Sequence, residues 1–196
     1  MEKFSIVCSS VVPVPLKDID TDMILPAQFL TSISREGYGE NLFRRLRDTD
    51  SNFPLNLDRY KGAQILLADD NFGCGSSREH AVWALAGWGF KVVISKSFAD
   101  IFHSNSAKNG LLTVVLEPSI VDGLLSEAAN SDLKLTVDLD RQMIIHPSGK
   151  EFPFSYDSFR KHCLLNGLED IDYLLDSIDT IKNFEKDRSE YLYFAK

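Results

Sequence analysis

Only three cysteines, Cys8, Cys74 and Cys163, occur in 196 residues, and no two of them form a C-x-x-C pair. Zinc and iron–sulfur centres need about four clustered ligands, so the pattern argues against a metal centre held by this chain alone. An odd, sparse set also fits a reducing compartment better than a disulfide framework. The four histidines, His80, His103, His146 and His162, show no H-E-x-x-H or comparable spacing. Excess positive charge is missing too. The formal net charge is −8, and binding phosphates requires a concentrated basic surface, so no nucleic-acid partner is expected. The run Arg44-Arg45-Leu46-Arg47 is followed at once by Asp48 and Asp50. The longest apolar stretches, such as Ile65-Leu66-Leu67-Ala68, fall far short of the roughly 20 residues that cross a bilayer. Behind Glu2 and Lys3 there is neither a long apolar run nor a small-residue cleavage site, so no secretory signal and no membrane partner are expected. A cytoplasmic chain is the resulting expectation.

What is present is an ordinary globular composition, 44% hydrophobic and 26% charged. Residues 1–196 are expected to form a single domain, with 171–196 a peripheral C-terminal helical extension. A strand is expected over residues 4–14, ending in the stiff turn of Pro13 and Pro15. A weak helix is expected near 40–47, and the polar stretch 48–56 reads as a connection. The middle is the clearest part. Strand patterns at 63–68, 91–95 and 111–116 alternate with helical spacing from Arg78 to the stop at Gly87 and Gly89, and again from Ser97 to Asn109. Such a βαβαβ order means parallel strands with right-handed crossovers, an α/β class. A helix over 120–129, antiparallel strands over 133–139, 142–146 and 151–154, and helices over 156–165 and 171–186 complete the expectation.

Chemistry concentrates where the first of these parallel strands meets its helix, in Gly73-Cys74-Gly75-Ser76-Ser77-Arg78-Glu79-His80. A glycine-rich turn lets a ligand approach the main chain, and a helix N-terminus favours anions. Open α/β sheets bind ligands at this carboxyl end of their strands. Arg78 adds a planar fork suited to a carboxylate. These residues read as a small-anion site with a serine beside it. Ser76 followed by Glu79 is equally a helix-capping signal. Gly73-x-Gly75 lacks the third glycine of a dinucleotide fingerprint, and there is no P-loop. Cys74 is either a thiol nucleophile or, more in keeping with free cysteines generally, a small packing residue.

The stretch from Asp70 to Ala81 resembles the signature of the swivelling domain of the aconitase superfamily, and Lys96 to Phe102 with Asn105 to Leu112 resembles its next block. Asp20-Thr21-Asp22-Met23-Ile24-Leu25-Pro26, Gln28-Phe29-Leu30, Phe159 to Cys163 and Asn166 to Ile171 are similar to the isopropylmalate dehydratase small subunits within it. The resemblance spans nearly the whole chain. It implies a β/β/α swivelling domain of the aconitase type: a parallel βαβαβ core with added antiparallel β structure and C-terminal helices. This domain would complete an active site on a separate large subunit. No cofactor would be bound by this chain; the large subunit would hold a [4Fe–4S] cluster with one iron open to the substrate hydroxyl. The implied reaction is the interconversion of 2- and 3-isopropylmalate through an alkene, within leucine biosynthesis.

The resemblance also assigns roles. Ser76 would be the base that removes the proton beside a carboxylate. Arg78 would clamp a carboxylate of the dicarboxylate substrate, with Ser77 donating to it, and Asp22 would line the pocket and pair with a neighbouring group. Read from the residues alone, the alternative for Asp22 is an Asx-turn residue after the strand. Phe29, Leu30 and Ile33 would wall the isopropyl pocket or serve as ordinary core. Ala27 stands where members of the family often have lysine. Homoaconitate or methylmalate as substrate, a non-catalytic anion-binding module, and a thiol enzyme using Cys74 are the competing readings.

Overall fold

The computed structural model describes residues 1–30 and 36–187. Ile33 and residues 188–196 lie outside the described residues. A seven-stranded sheet organises the chain. Its strands are β1 (Val7–Val14), β2 (Ile65–Ala68), β3 (Val92–Ser95), β4 (Leu112–Val115), β5 (Lys134–Asp138), β6 (Met143–Ile145) and β7 (Glu151–Pro153). They lie in the order β4-β3-β2-β1-β5-β6-β7. The helices are α1 (Thr21–Ile24), α2 (Arg44–Thr49), α3 (His80–Trp88), α4 (Asp100–Lys108), α5 (Pro118–Asn130), α6 (Ser158–Asn166), α7 (Asp170–Asp176) and α8 (Ile178–Asp187).

The first strand is the seam of the sheet. It runs parallel to β2, with Val11 opposite Ile65 and Val14 opposite Ala68. On its other edge it runs antiparallel to β5, with Val7 opposite Val137. The parallel half β1-β2-β3-β4 is buried on both faces, as its Val, Ile and Leu runs require. Leu66, Ala68 and Val93 face a core closed by Ala81, Val82, Ala84 and Leu85 of α3 and Phe102 of α4. Ile65, Leu67, Val92, Ile94, Leu112 and Val114 face a second core closed by Val121, Leu124, Leu125 and Ala128 of α5. Burying each such side chain contributes about 2 kcal/mol, so both faces are firmly set. The antiparallel half places Leu135, Val137, Ile144 and Phe152 on the second core only, which accounts for its alternating pattern.

Several local expectations are corrected. The 48–56 connection is not merely polar: Phe53 and Leu55 are buried in the first core beside Tyr38, Leu42 and Phe43, and the expected weak helix is α2, six residues placed slightly later. Gly87 does not stop α3; it lies inside the helix, where the main chain of Gly39 packs directly against it. The stop is Gly89 alone, at φ 113°. Residues 97–99 are extended rather than helical, because they pair with Phe72: the Phe72 N–H donates to the Ser97 carbonyl at 3.0 Å, and the Ala99 N–H to the Phe72 carbonyl at 3.1 Å. The C-terminal helical stretch is broken in two at Ser177, which ends α7.

Candidate active site

Because β1 and β2 are parallel neighbours, their carboxyl ends release two turns side by side, 18–22 and 69–78. Each turn has a residue in the left-handed region next to the strand, Asp18 at φ 52° and Asn71 at φ 57°. Aspartate and asparagine tolerate this conformation better than other side chains. The two are joined, Asn71 Nδ2 donating to Asp18 Oδ1 at 2.6 Å. A ladder then ties the turns together: the Asp18 N–H donates to the Asp70 carbonyl at 3.0 Å, Gly73 N–H to Ile19 carbonyl at 2.7 Å, and Thr21 N–H to Cys74 carbonyl at 2.9 Å. Asp70 accepts from the Ser97 hydroxyl at 2.5 Å and from Asn71 N–H at 3.0 Å. These bonds, that from Ser97 first, hold its carboxyl below the usual carboxylate range.

Gly73 sits at φ 79°, and a Cβ there would collide with the ring of Phe102. Only glycine allows the turn to lie on α4 this closely. Beyond it, Gly75, Ser76 and Ser77 are exposed and Arg78 is half-buried. The capping expectation fails here. The helix begins at His80, its cap position Glu79 makes no side-chain bond, and the Ser76 N–H donates instead to Thr21 Oγ1 at 3.1 Å. Ser76 and Ser77 are thus presented on an irregular segment ahead of the helix.

Asp22 and Arg78, far apart in sequence, meet: Arg78 Nη1 lies 2.7 Å from Asp22 Oδ1. Their side chains are 30% and 48% exposed, so solvent screens the pair and its net stabilisation is below about 1 kcal/mol. Its effect is orientation, since it fixes one nitrogen of the planar guanidinium fork beside the serine segment. Phe29 and Leu30 are half-buried and pack on the first core. His80, at the start of α3, meets Tyr38 edge-on and Trp83 at a tilt, with ring centroids at 5.3 and 4.6 Å.

Cys74 carries no sign of thiolate chemistry. Burial first, then Asp20 and Asp18, raise its thiol above the ordinary value, so it stays protonated at neutral pH. Two residues that contact the serine segment were not singled out from sequence: Thr21, and Asn105, whose Nδ2 donates to the Ser77 carbonyl at 3.2 Å. The signal for Thr21 was its place beyond β1, but it required knowing that β1 pairs with β2. The family's cluster does not fit this chain's residues. Cys8 is exposed, Cys74 is in the turn, and Cys163 is buried in α6. Among the described residues no group of three or more His, Cys, Asp or Glu could hold a metal ion, and no helix is long and apolar enough to cross a membrane.

The family model for the aconitase C-terminal domain matches residues 1–119, the part containing both turns and the parallel strands. A 3-isopropylmalate dehydratase small subunit of Francisella philomiragia is 50% identical, over 95% of this chain and 98% of its own length. One of Marinobacter nauticus is 50% identical, over 91% of this chain and 90% of its own. A crystal structure of 3-isopropylmalate dehydratase from Methanocaldococcus jannaschii superposes with a TM-score of 0.68 at 27% identity, covering 92% of this chain and 99% of that one. The chain belongs to the aconitase C-terminal domain family, among its 3-isopropylmalate dehydratase small subunits.

Proposed function

We infer that this chain works as the small subunit of a 3-isopropylmalate dehydratase, a hydro-lyase that isomerises 2-isopropylmalate to 3-isopropylmalate on the way to leucine, and that it is active only with its large subunit in the cytoplasm. It acts as one swivelling domain, with the segment from 171 peripheral to it. In this reading Ser76 Oγ takes the proton from the carbon beside a substrate carboxylate and returns it when the alkene is rehydrated. Serine is a weak base by ordinary ionisation, and the Arg78 cation two residues away favours its alkoxide. Arg78, steadied by Asp22, takes a substrate carboxylate as a fork, and the Ser77 hydroxyl donates to the same group. Phe29 and Leu30, with Ile33 beyond them, supply the apolar wall that an isopropyl group requires.

The observation that supports this reading is the pairing of Arg78 with Asp22 at 2.7 Å beside two exposed serines. A bare helix cap would have turned those serines onto the helix instead. Among the described residues no ligand set for a cluster is formed; in this reading departure of the substrate hydroxyl belongs to the large subunit. The test is anaerobic co-purification with the cognate large subunit, followed by assay on 2-isopropylmalate, homoaconitate and citrate. Turnover of 2-isopropylmalate well above the other two is expected. A preference for homoaconitate would overturn the substrate reading, and a stable pair inert on all three would overturn the enzymatic one.

A further inference from the structure

The Ser76–Ser77 segment is exposed and irregular, yet its main chain is gripped from two sides. On one side the Ser76 N–H donates to the Thr21 hydroxyl at 3.1 Å. On the other the Ser77 carbonyl accepts from Asn105 Nδ2 at 3.2 Å. Thr21 is only 2% exposed and is itself fixed, because its N–H donates to the Cys74 carbonyl at 2.9 Å. Its neighbour Asp20 caps α1 by accepting the Met23 N–H at 2.6 Å. Asn105 is braced in turn: its carbonyl accepts from Asn109 Nδ2 at 2.8 Å, and Asn109 Oδ1 accepts the Trp83 indole N–H at 2.9 Å. Between the two grips on Thr21 sits Gly75 at φ 93°, a residue that would otherwise let the next peptide rotate freely.

We propose that Thr21 and Asn105 are positioning residues for the reaction, together fixing the main chain from which Ser76 presents its hydroxyl. This rests on the reading of Ser76 as the base. Thr21 lies between Asp20, which caps the short helix, and Asp22, which orients Arg78, so one turn sets both base and clamp. Removing the Thr21 hydroxyl leaves the Ser76 N–H without its acceptor and frees the glycine beside it. A displacement of about 1 Å at a reacting group costs about 100-fold in rate.

The test uses the assembled two-subunit enzyme. Thr21→Val keeps the shape and loses the acceptor, Thr21→Ser restores it, and Asn105→Ala removes the second grip from a half-buried position. Thr21→Val is expected to lower kcat about 10- to 100-fold with KM changed less than about threefold. Thr21→Ser should recover most of that loss, and Asn105→Ala should lower kcat by a smaller factor in the same pattern. In a Ser76→Ala background Thr21→Val should add nothing, because it acts through the missing hydroxyl. Sedimentation of each variant pair checks assembly; if Thr21→Val fails to assemble, Asn105→Ala alone decides. A kcat within about twofold of wild type in both variants, with Ser76→Ala inactive, overturns the positioning role while the base stands. A further undiminished loss in the Ser76→Ala background does the same. Near-normal turnover of Ser76→Ala itself overturns the base and with it this proposal.

Discussion

In the proposed reading Arg78 meets the substrate already oriented, because Asp22 holds one of its nitrogens at 2.7 Å. Replacing the fork by a point charge should therefore hurt binding as well as turnover. In Arg78→Lys, KM for 2-isopropylmalate is expected to rise about tenfold or more, and kcat to fall. Unchanged constants in steady-state kinetics would remove the clamp. Cys74 makes the opposite prediction. Its thiol is pushed up by burial and by two aspartates, so Cys74→Ala should keep turnover within about threefold, as a packing cysteine tolerates the change. A loss of orders of magnitude would revive the thiol alternative. The motif from Gly73 to Arg78 stood out in the sequence as a candidate anion site with a serine. That Thr21 and Asn105 hold it was not legible there, because they lie on α1 and α4, brought to the motif by a strand order that no local pattern encodes.

At the scale of elements, the parallel strands, their crossover helices and the antiparallel additions occur in the expected order, with some boundaries shifted. The misreadings have one cause: tertiary partners overrode local propensity. Residues 97–99 have a helix-compatible sequence but pair with Phe72. Phe53 and Leu55 sit in a polar stretch yet complete the first core. Gly87 looks like a helix stop and is instead a docking surface for the main chain of Gly39. That contact allows no side chain at Gly39, where a Cβ would meet the Gly87 carbonyl. Gly39→Ala should destabilise the chain by about 1–3 kcal/mol as an overpacked contact, read as a lowered midpoint in urea unfolding. An unchanged midpoint would mean that the 36–43 segment lifts off α3 at no cost. Gly73→Ala is expected to be worse, since it adds a positive φ of 79° to a clash with Phe102.

The whole molecule carries a pH dependence of its own. His103 of α4 shares a 2.7 Å hydrogen bond with Thr113 of β4, and its ring lies 5.9 Å from that of Tyr156, just ahead of α6. Burial lowers its pKa, outweighing the opposing pull of Asp100 and Asp157. A histidine that folds neutral binds fewer protons than it does unfolded, so stability rises with pH between its folded and unfolded values. That stability is complete above the unfolded value of about 6.5 and is lost as pH falls toward the folded one. The Tm of the chain should therefore drop below about pH 6.5, and His103→Gln should flatten that part of the curve; identical slopes would contradict it. The central proposal is that this chain contributes the base and a carboxylate clamp, and the large subunit the group that takes the substrate hydroxyl. The direct measurement is turnover of 2-isopropylmalate by the assembled pair carrying Ser76→Ala, with assembly confirmed by sedimentation. A fall of at least about 100-fold with the pair intact is expected. Turnover near that of wild type in an intact pair would contradict it.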